Sequence, residues 1–338
     1  MFKNKIFRLF VFLSMAVCSA FVLTNEKNGS FFWKNIFASF GVSELENAQD
    51  DVENGALGAR DNERGGSDHP RNSRPEPVLP PMFIHVIDVG NADGIYISCA
   101  GKNILIDAGD YETRDSLVGY LEQQGVKNLD LSILTHPHLD HMGGMPSVLN
   151  AFGVSRFFMP EIPKKILPKG SSYMSTLSCL TKKKIPVQRP KIGEILELGP
   201  LKITFLGPCR QYDKMNNNSI VVLITHYSKK FIFMGDAEKE SEYDILKSGF
   251  DLKCDFIKIG HHGSDTSTTD QFLDKVSPEY AAISTSDKYG VNFKRGKKGP
   301  PAVAKLSKRG IKTFRTNTMG NIIFCSDGKK ISVKCERE

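Results

Sequence analysis

From residue 82 onward the chain alternates short apolar runs with polar, Gly-containing turns. Residues 83–89, 95–99 and 103–106 read as three strands. A helix is expected over 115–124, with Leu117, Val118 and Leu121 as its apolar stripe and Gly125 as its stop. The run 129–134 ends in Ile133-Leu134 and reads as a buried strand, and a helix follows over 145–152. Beyond Phe158 comes a proline-bounded excursion, then strand-like runs at 195–198, 203–206, 220–225, 231–234, 256–259, 281–284 and 322–325. Strands of both kinds interleaved with helices predict an α/β fold, a layered sandwich.

Upstream the pattern changes. Lys3, Lys5 and Arg8 precede an apolar run over 9–23, which predicts a signal peptide with a small-residue cleavage site at Cys18-Ser19-Ala20, or an N-terminal anchor if uncleaved. That run is short for a membrane span. Residues 24–81 read as a flexible linker, polar and rich in Gly, Asn and Pro after a short aromatic piece around Trp33. The main domain is therefore 82–338, and the chain is expected to be exported, touching a membrane only through its N-terminal segment. No set of multiple apolar spans, such as transport would need, is present.

The 338 residues carry a formal net charge of +7. Residues 1–80 hold nine Lys/Arg against ten Asp/Glu, so the excess belongs to the main domain, with 36 against 28. Such a balance favours an anionic substrate or surface, or is a solvated basic face. The cysteines form no close pair; Cys99, Cys254 and Cys325 sit in strand-like runs and are expected to be buried small hydrophobes.

The chemistry concentrates at THPHLDHMGG, 135–144, where three of the eight histidines fall within six residues. His136 and His138 share one face of an extended segment, while Asp140 and His141 lie where the chain turns. Imidazole and carboxylate together suit borderline cations and leave positions open for water or substrate. Gly143 and Gly144 are expected to supply a tight turn into the next helix. Further carboxylates and imidazoles stand at other strand ends: Asp107, Asp236, and the pair His261-His262, of which His262 is favoured because it immediately precedes a glycine.

The stretch resembles the HxHxDH signature of the metallo-β-lactamase superfamily. IDVGNADG at 87–94, NILIDAG at 103–109, NNNSIVVLI at 216–224, FMGDAE at 233–238 and KIGHHGSDTST at 258–268 follow in the order of the ComEC-like branch. That group comprises the hydrolase domain of a competence protein and its stand-alone secreted relatives. The resemblance covers about residues 82–333. It implies a four-layer αββα sandwich holding two divalent ions, zinc or manganese. His136, His138, Asp140, His141, Asp236 and one of His261 and His262 would be ligands. Asp236 would bridge the ions, and Asp107 and Asp93 would orient the ligands. Asp140, Asp236 and Asp107 are accordingly the carboxylates assigned to catalysis.

It also implies a phosphodiesterase or nuclease with a metal-activated water, acting on an anionic substrate such as single-stranded DNA or another phosphoester. The alternatives are cleavage of a different cell-envelope phosphoester, as by the phosphorylcholine esterases, and a degenerate anion-binding domain. Two departures bear on this. Where the wider superfamily has a third-motif histidine, this chain has Asn216, which would position substrate or water. Relatives also carry a late His-Pro-His segment; here stand Lys294, Arg295, Lys297 and Lys298, expected either to grip phosphate or to form a mobile solvated loop. Asn216, Asp93, Ser264 and that basic cluster are assigned to the substrate.

Overall fold

Two β-sheets lie face to face because their strands send alternate apolar side chains into one shared core. The computed structural model describes residues 79–287 and 300–338. Its first half runs β1 (Met82–Val86), β2 (Ile95–Cys99), β3 (Lys102–Ile106), α1 (Arg114–Gln123), β4 (Asn128–Leu129), β5 (Leu131–Ile133), α2 (Leu139–Met142), α3 (Met145–Ala151), β6 (Gly153–Val154), β7 (Phe157–Phe158), α4 (Ser171–Lys182) and β8 (Val187–Gln188). Its second runs β9 (Ile195–Leu198), β10 (Leu201–Gly207), β11 (Val221–His226), β12 (Lys229–Phe233), α5 (Lys239–Lys247), β13 (Phe256–Lys258), α6 (Asp270–Val276), β14 (Tyr280–Ile283), α7 (Pro301–Lys308), β15 (Lys312–Arg315), α8 (Thr316–Met319), β16 (Ile322–Ser326) and β17 (Ile331–Cys335).

One sheet has the order β17-β16-β1-β2-β3-β5-β7-β8 and the other β15-β14-β13-β12-β11-β10-β9. Ile84, Val86, Ile97, Ile104 and Ile133 of the first meet Ile203, Val222, Ile224, Phe231 and Phe256 of the second. The opposite face of the first sheet carries Tyr96, Leu105 and Phe157, covered by Leu117 and Leu121 of α1 and by α3 and α4. The opposite face of the second carries Ile232, Ile257 and Ile283, covered by Ile245 of α5, Phe272 of α6 and Leu306 of α7. The four layers are helix, sheet, sheet, helix. β3 and β5 are parallel, as are β12, β13 and β14, so their carboxyl ends gather ligand loops at one end of the sandwich.

Several expected boundaries move. β1 stops at Val86 because the Ile87 N–H donates to the Gly94 carbonyl (3.0 Å) and closes a loop. The run 129–134 splits into β4 and β5 where the Asp130 N–H turns to the Asn103 carbonyl. The excursion after Phe158 contains α4, signalled by Tyr173, Thr176 and Leu180 on one helical face. Leu79 and Pro80, read as the linker's end, are already docked: the Pro80 carbonyl accepts from His226 Nε2 (3.1 Å) and Leu79 packs near Gly328. The expected leader, most of the linker and the cluster Lys294, Arg295, Lys297 and Lys298 lie outside the described residues. Among the described residues the six cysteines are free, and Cys99, Cys254 and Cys325 are buried. No helix there is long and apolar enough to cross a membrane.

His85 of β1 faces α1, with Nδ1 2.8 Å from the Tyr120 hydroxyl, and is 3% exposed. Burial pushes its pKa down to about 3. The native state therefore holds it neutral while the unfolded chain binds a proton below about 6.5. Stability from this group is complete above that value and is lost as pH falls toward 3, because the unfolded state then carries more protons. Between pH 7 and 5 the wild type should lose about 2 kcal/mol more than His85→Gln. Urea titrations of the full chain at both pH values check this; equal losses would refute it.

Candidate metal centre

Two groups of ligand atoms share one carboxylate. Asp140, His141, Asp236 and His262 form the first, and His136, His138 and Asp236 the second; within each, the atoms lie within 4.8 Å of one another. His141 Nε2 is 3.2 Å and His262 Nε2 3.7 Å from Asp236 Oδ1, and His262 Nε2 is 3.3 Å from Asp140 Oδ2. His136 Nε2 lies 3.8 Å from the other oxygen, Oδ2, and 3.0 Å from His138 Nδ1. Asp236 therefore offers one oxygen to each group.

Backbone geometry delivers these side chains. β5 ends into His136, the short α2 presents Asp140 and His141, and β12 ends into Gly235-Asp236. After β13 both His261 (φ 49°) and His262 (φ 51°) adopt left-handed conformations that non-glycine residues rarely take. Such strain persists only where the surroundings enforce it, and here it turns His262 inward.

A second layer fixes each ring. His141 Nδ1 donates to Asp107 Oδ2 (2.8 Å), and Asp107 also accepts from the Thr135 N–H and hydroxyl (both 2.7 Å). His262 Nδ1 donates to the Ser284 carbonyl (3.0 Å). His136 Nδ1 lies 3.2 Å from Thr135 Oγ1 and 3.3 Å from Ser219 Oγ, which also accepts the Asp236 N–H (3.0 Å). With each Nδ1 engaged, the Nε2 atoms of His141 and His262 are left without a partner and that of His136 meets the His138 ring.

The donor set passes the test for divalent cations. His141 Nε2, His262 Nε2 and Asp236 Oδ1 are buried, lack any hydrogen-bond partner and converge. Three such orphans at one point would be costly unless an ion satisfied them. Electrostatics agrees. Burial works to raise the Asp236 carboxyl, yet His141, His262 and His136 hold it well below the usual range. Burial likewise opposes protonation of His141, but Asp236, Asp107 and Asp140 outweigh it and raise its pKa. His136 is driven well below its ordinary value by burial and by the neighbouring His141.

The remaining predicted residues fall on both sides of this centre. Asp107 touches Thr135 and His141, and Asp93 is 1% exposed and paired with Lys258, so both make orienting contacts. Ser264 is also buried, its Oγ taken by the N–H and hydroxyl of Thr266. Asn216 reaches the rim, with Nδ2 3.4 Å from Glu238 Oε1 and 3.3 Å from His261 Nε2. His261 Nε2 stands 3.9 Å from Asp236 Oδ2, while its Nδ1 is held by the Thr266 hydroxyl (2.9 Å). A cavity of about 500 Å³ opens beside Asp140, walled by Asn91, Asp110, Glu112 and Leu139. Sequence reasoning passes over Thr135, Ser219, Glu238 and Lys258. Only Lys258 leaves a signal, as one charge inside an otherwise apolar strand.

The family profile of the metallo-beta-lactamase superfamily matches residues 89–287. ComE operon protein 3 of Bacillus subtilis (strain 168) is 27% identical over 260 residues, covering 71% of this chain and 32% of that protein. Competence protein ComA of Neisseria gonorrhoeae is 25% identical over 248 residues, with the same shares of each. The chain thus spans about a third of the length of these curated relatives. The solved fold of YhfI from Bacillus subtilis covers 73% of this chain and 100% of its own, at 15% identity and a TM-score of 0.49. With its matched span enclosing every ligand loop of the centre, the chain belongs to the metallo-β-lactamase superfamily of metal-dependent hydrolases and resembles its ComEC-like members.

Proposed function

We propose that this protein is an exported phosphodiesterase that cleaves an anionic substrate, with single-stranded DNA the polymer to test first. The observation that carries the proposal is the pair of ligand groups joined by Asp236. Two divalent cations, zinc or manganese, supply the Lewis acidity that brings a water's pKa toward neutrality and offsets charge on phosphoryl oxygens. The chain's own part is to hold and orient. His136, His138 and Asp236 make one cradle; Asp140, His141, His262 and Asp236 make the other. Asp107 and the Ser284 carbonyl keep His141 and His262 with Nε2 facing inward. Asn216 Nδ2 and His261 stand at the rim, where a phosphoryl oxygen would meet hydrogen-bond donors.

A second reading has its own support. Asp110 and Glu112 line the cavity beside Asp140, and carboxylates there repel a polyanion more than a small ester. A cell-envelope phosphoester then becomes the substrate. The test is turnover by the purified full chain, stripped of metal and given back zinc or manganese, on bis-p-nitrophenyl phosphate and on a single-stranded oligonucleotide. Metal-dependent cleavage of both supports the nuclease, and cleavage of the small diester alone supports the second reading. Metal uptake with cleavage of neither overturns the phosphodiesterase.

A further inference from the structure

Lys258 is 0% exposed at the end of β13, a rare place for an ammonium group. Its Nζ lies 2.8 Å from Asp93 Oδ1 and 3.0 Å from Oδ2, and it donates to the Ile259 carbonyl at 3.1 Å. A buried ion pair adds little net stability, since two apolar side chains of the same volume often do as well. What the pair joins is more informative.

Asp93 comes from the 87–94 loop on the first sheet, whereas Lys258 and His262 come from the second. The Asp93 N–H donates to the Asp140 carbonyl (3.0 Å), and the Asp93 carbonyl accepts from the Gly109 N–H (2.7 Å). Asp93 Oδ1 stands 3.7 Å from His262 Nδ1, and a carboxylate oxygen of Asp93 falls in one cluster with Asp107 and His141. Three of these contacts reach Asp140, His141 or His262 directly, and the Gly109 bond braces the segment that follows Asp107. Among the described residues no hydrogen bond or ion pair runs from Lys258 or Asp93 to His136 or His138.

We infer that Lys258 and Asp93 are positioning residues that register the two sheets at one cation site, the site of Asp140, His141 and His262, and leave the His136/His138 site alone. The inference rests on the two-cation reading above and adds an asymmetry to it. Both groups draw on both sheets through Asp236, but the buried pair ties only the loops that carry Asp140 and His262, so it is the cradle of Asp140, His141 and His262 whose preorganisation depends on it.

The experiment compares the full chain with the double variant Lys258→Met/Asp93→Asn, which removes both charges together and leaves no ion uncompensated. Metal-stripped proteins are dialysed against zinc and the bound ion counted; cobalt(II) uptake, followed by its visible absorption, reports the coordination of each site. The wild type should take up two equivalents. The double variant should keep one and bind the second on the order of 10–100-fold more weakly. Should that variant fail to fold, Lys258→Gln/Asp93→Asn, also uncharged but able to keep an amide hydrogen bond across the same gap, should show the weakening at the same one site. Two tight equivalents in either folded variant would overturn the assignment, as would equal weakening of both sites, which is what general loosening produces. Fewer than two equivalents in the wild type would instead overturn the two-cation reading itself, and this assignment with it.

Discussion

Asp236→Ala should lower hydrolysis of bis-p-nitrophenyl phosphate by about 10³-fold or more, on the order of 4 kcal/mol of transition-state stabilisation. The reason is position: Asp236 supplies an oxygen to each ligand group, so its loss damages both sites at once. His138→Ala makes the comparison clean. His138 belongs to one group only, and it is exposed, so its removal leaves the core untouched. Metal counted in the two purified variants should fall by both equivalents in the first and by one in the second, with far-UV circular dichroism unchanged. Asp236→Ala also leaves His141 Nε2 and His262 Nε2 facing each other without the carboxylate between them. The variant should therefore be less stable than its unchanged circular dichroism suggests, because both buried rings lose the carboxylate that offsets the cost of burying their charged forms. Full activity in either variant would sink the ligand assignment.

Candidate ligands that sit together in sequence, or directly after an apolar run, are legible in the sequence itself. His136, His138, Asp140 and His141 fall within six residues, and Asp107, Asp236 and the two adjacent histidines each follow a strand whose burial is visible in its composition. The layer architecture follows from the same runs, since each strand has one face for the shared core and one for a helix. Illegible are contacts made by groups without a chemical signature. The Ser284 carbonyl orients His262 and Ser219 Oγ spans His136 and the Asp236 N–H, yet a carbonyl or a serine hydroxyl can be read in any sequence. The choice between His261 and His262 depends on two consecutive left-handed residues, which no pattern of side chains announces. The burial of Asp93 and Ser264 is illegible for a related cause: motif residues are equally conspicuous whether they lie on the surface or beneath it.

Gly143 and Gly144 show the same limit, and they yield the second large effect. The sequence invites the view that they are needed for a tight turn. Both in fact have right-handed backbone angles, φ −56° and −85°, which alanine adopts freely. What they lack is room. A Cβ on Gly144 would stand 2.2 Å from the Ala108 carbonyl oxygen, and one on Gly143 would stand 2.2 Å from the Tyr111 nitrogen. These neighbours are backbone, so the 108–111 loop itself must move. That loop follows Asp107 directly, and the Ala108 N–H donates to the His141 carbonyl at 2.7 Å. Displacing it therefore drags the carboxylate that orients His141. Gly144→Ala should cost about 3 kcal/mol of stability through overpacking, and weaken zinc binding by roughly 10–100-fold through the disturbed Asp107. Gly119, inside α1 with nothing within 4 Å of its added Cβ, is the control. Gly119→Ala should raise stability by about 0.5–1 kcal/mol and leave metal affinity alone. Denaturant titration and zinc dialysis of the full chain separate the two outcomes. If Gly144→Ala matched the wild type in both measurements, the loop would be shown to yield without strain, and the close approach of Ala108 would have no part in holding Asp107 against His141.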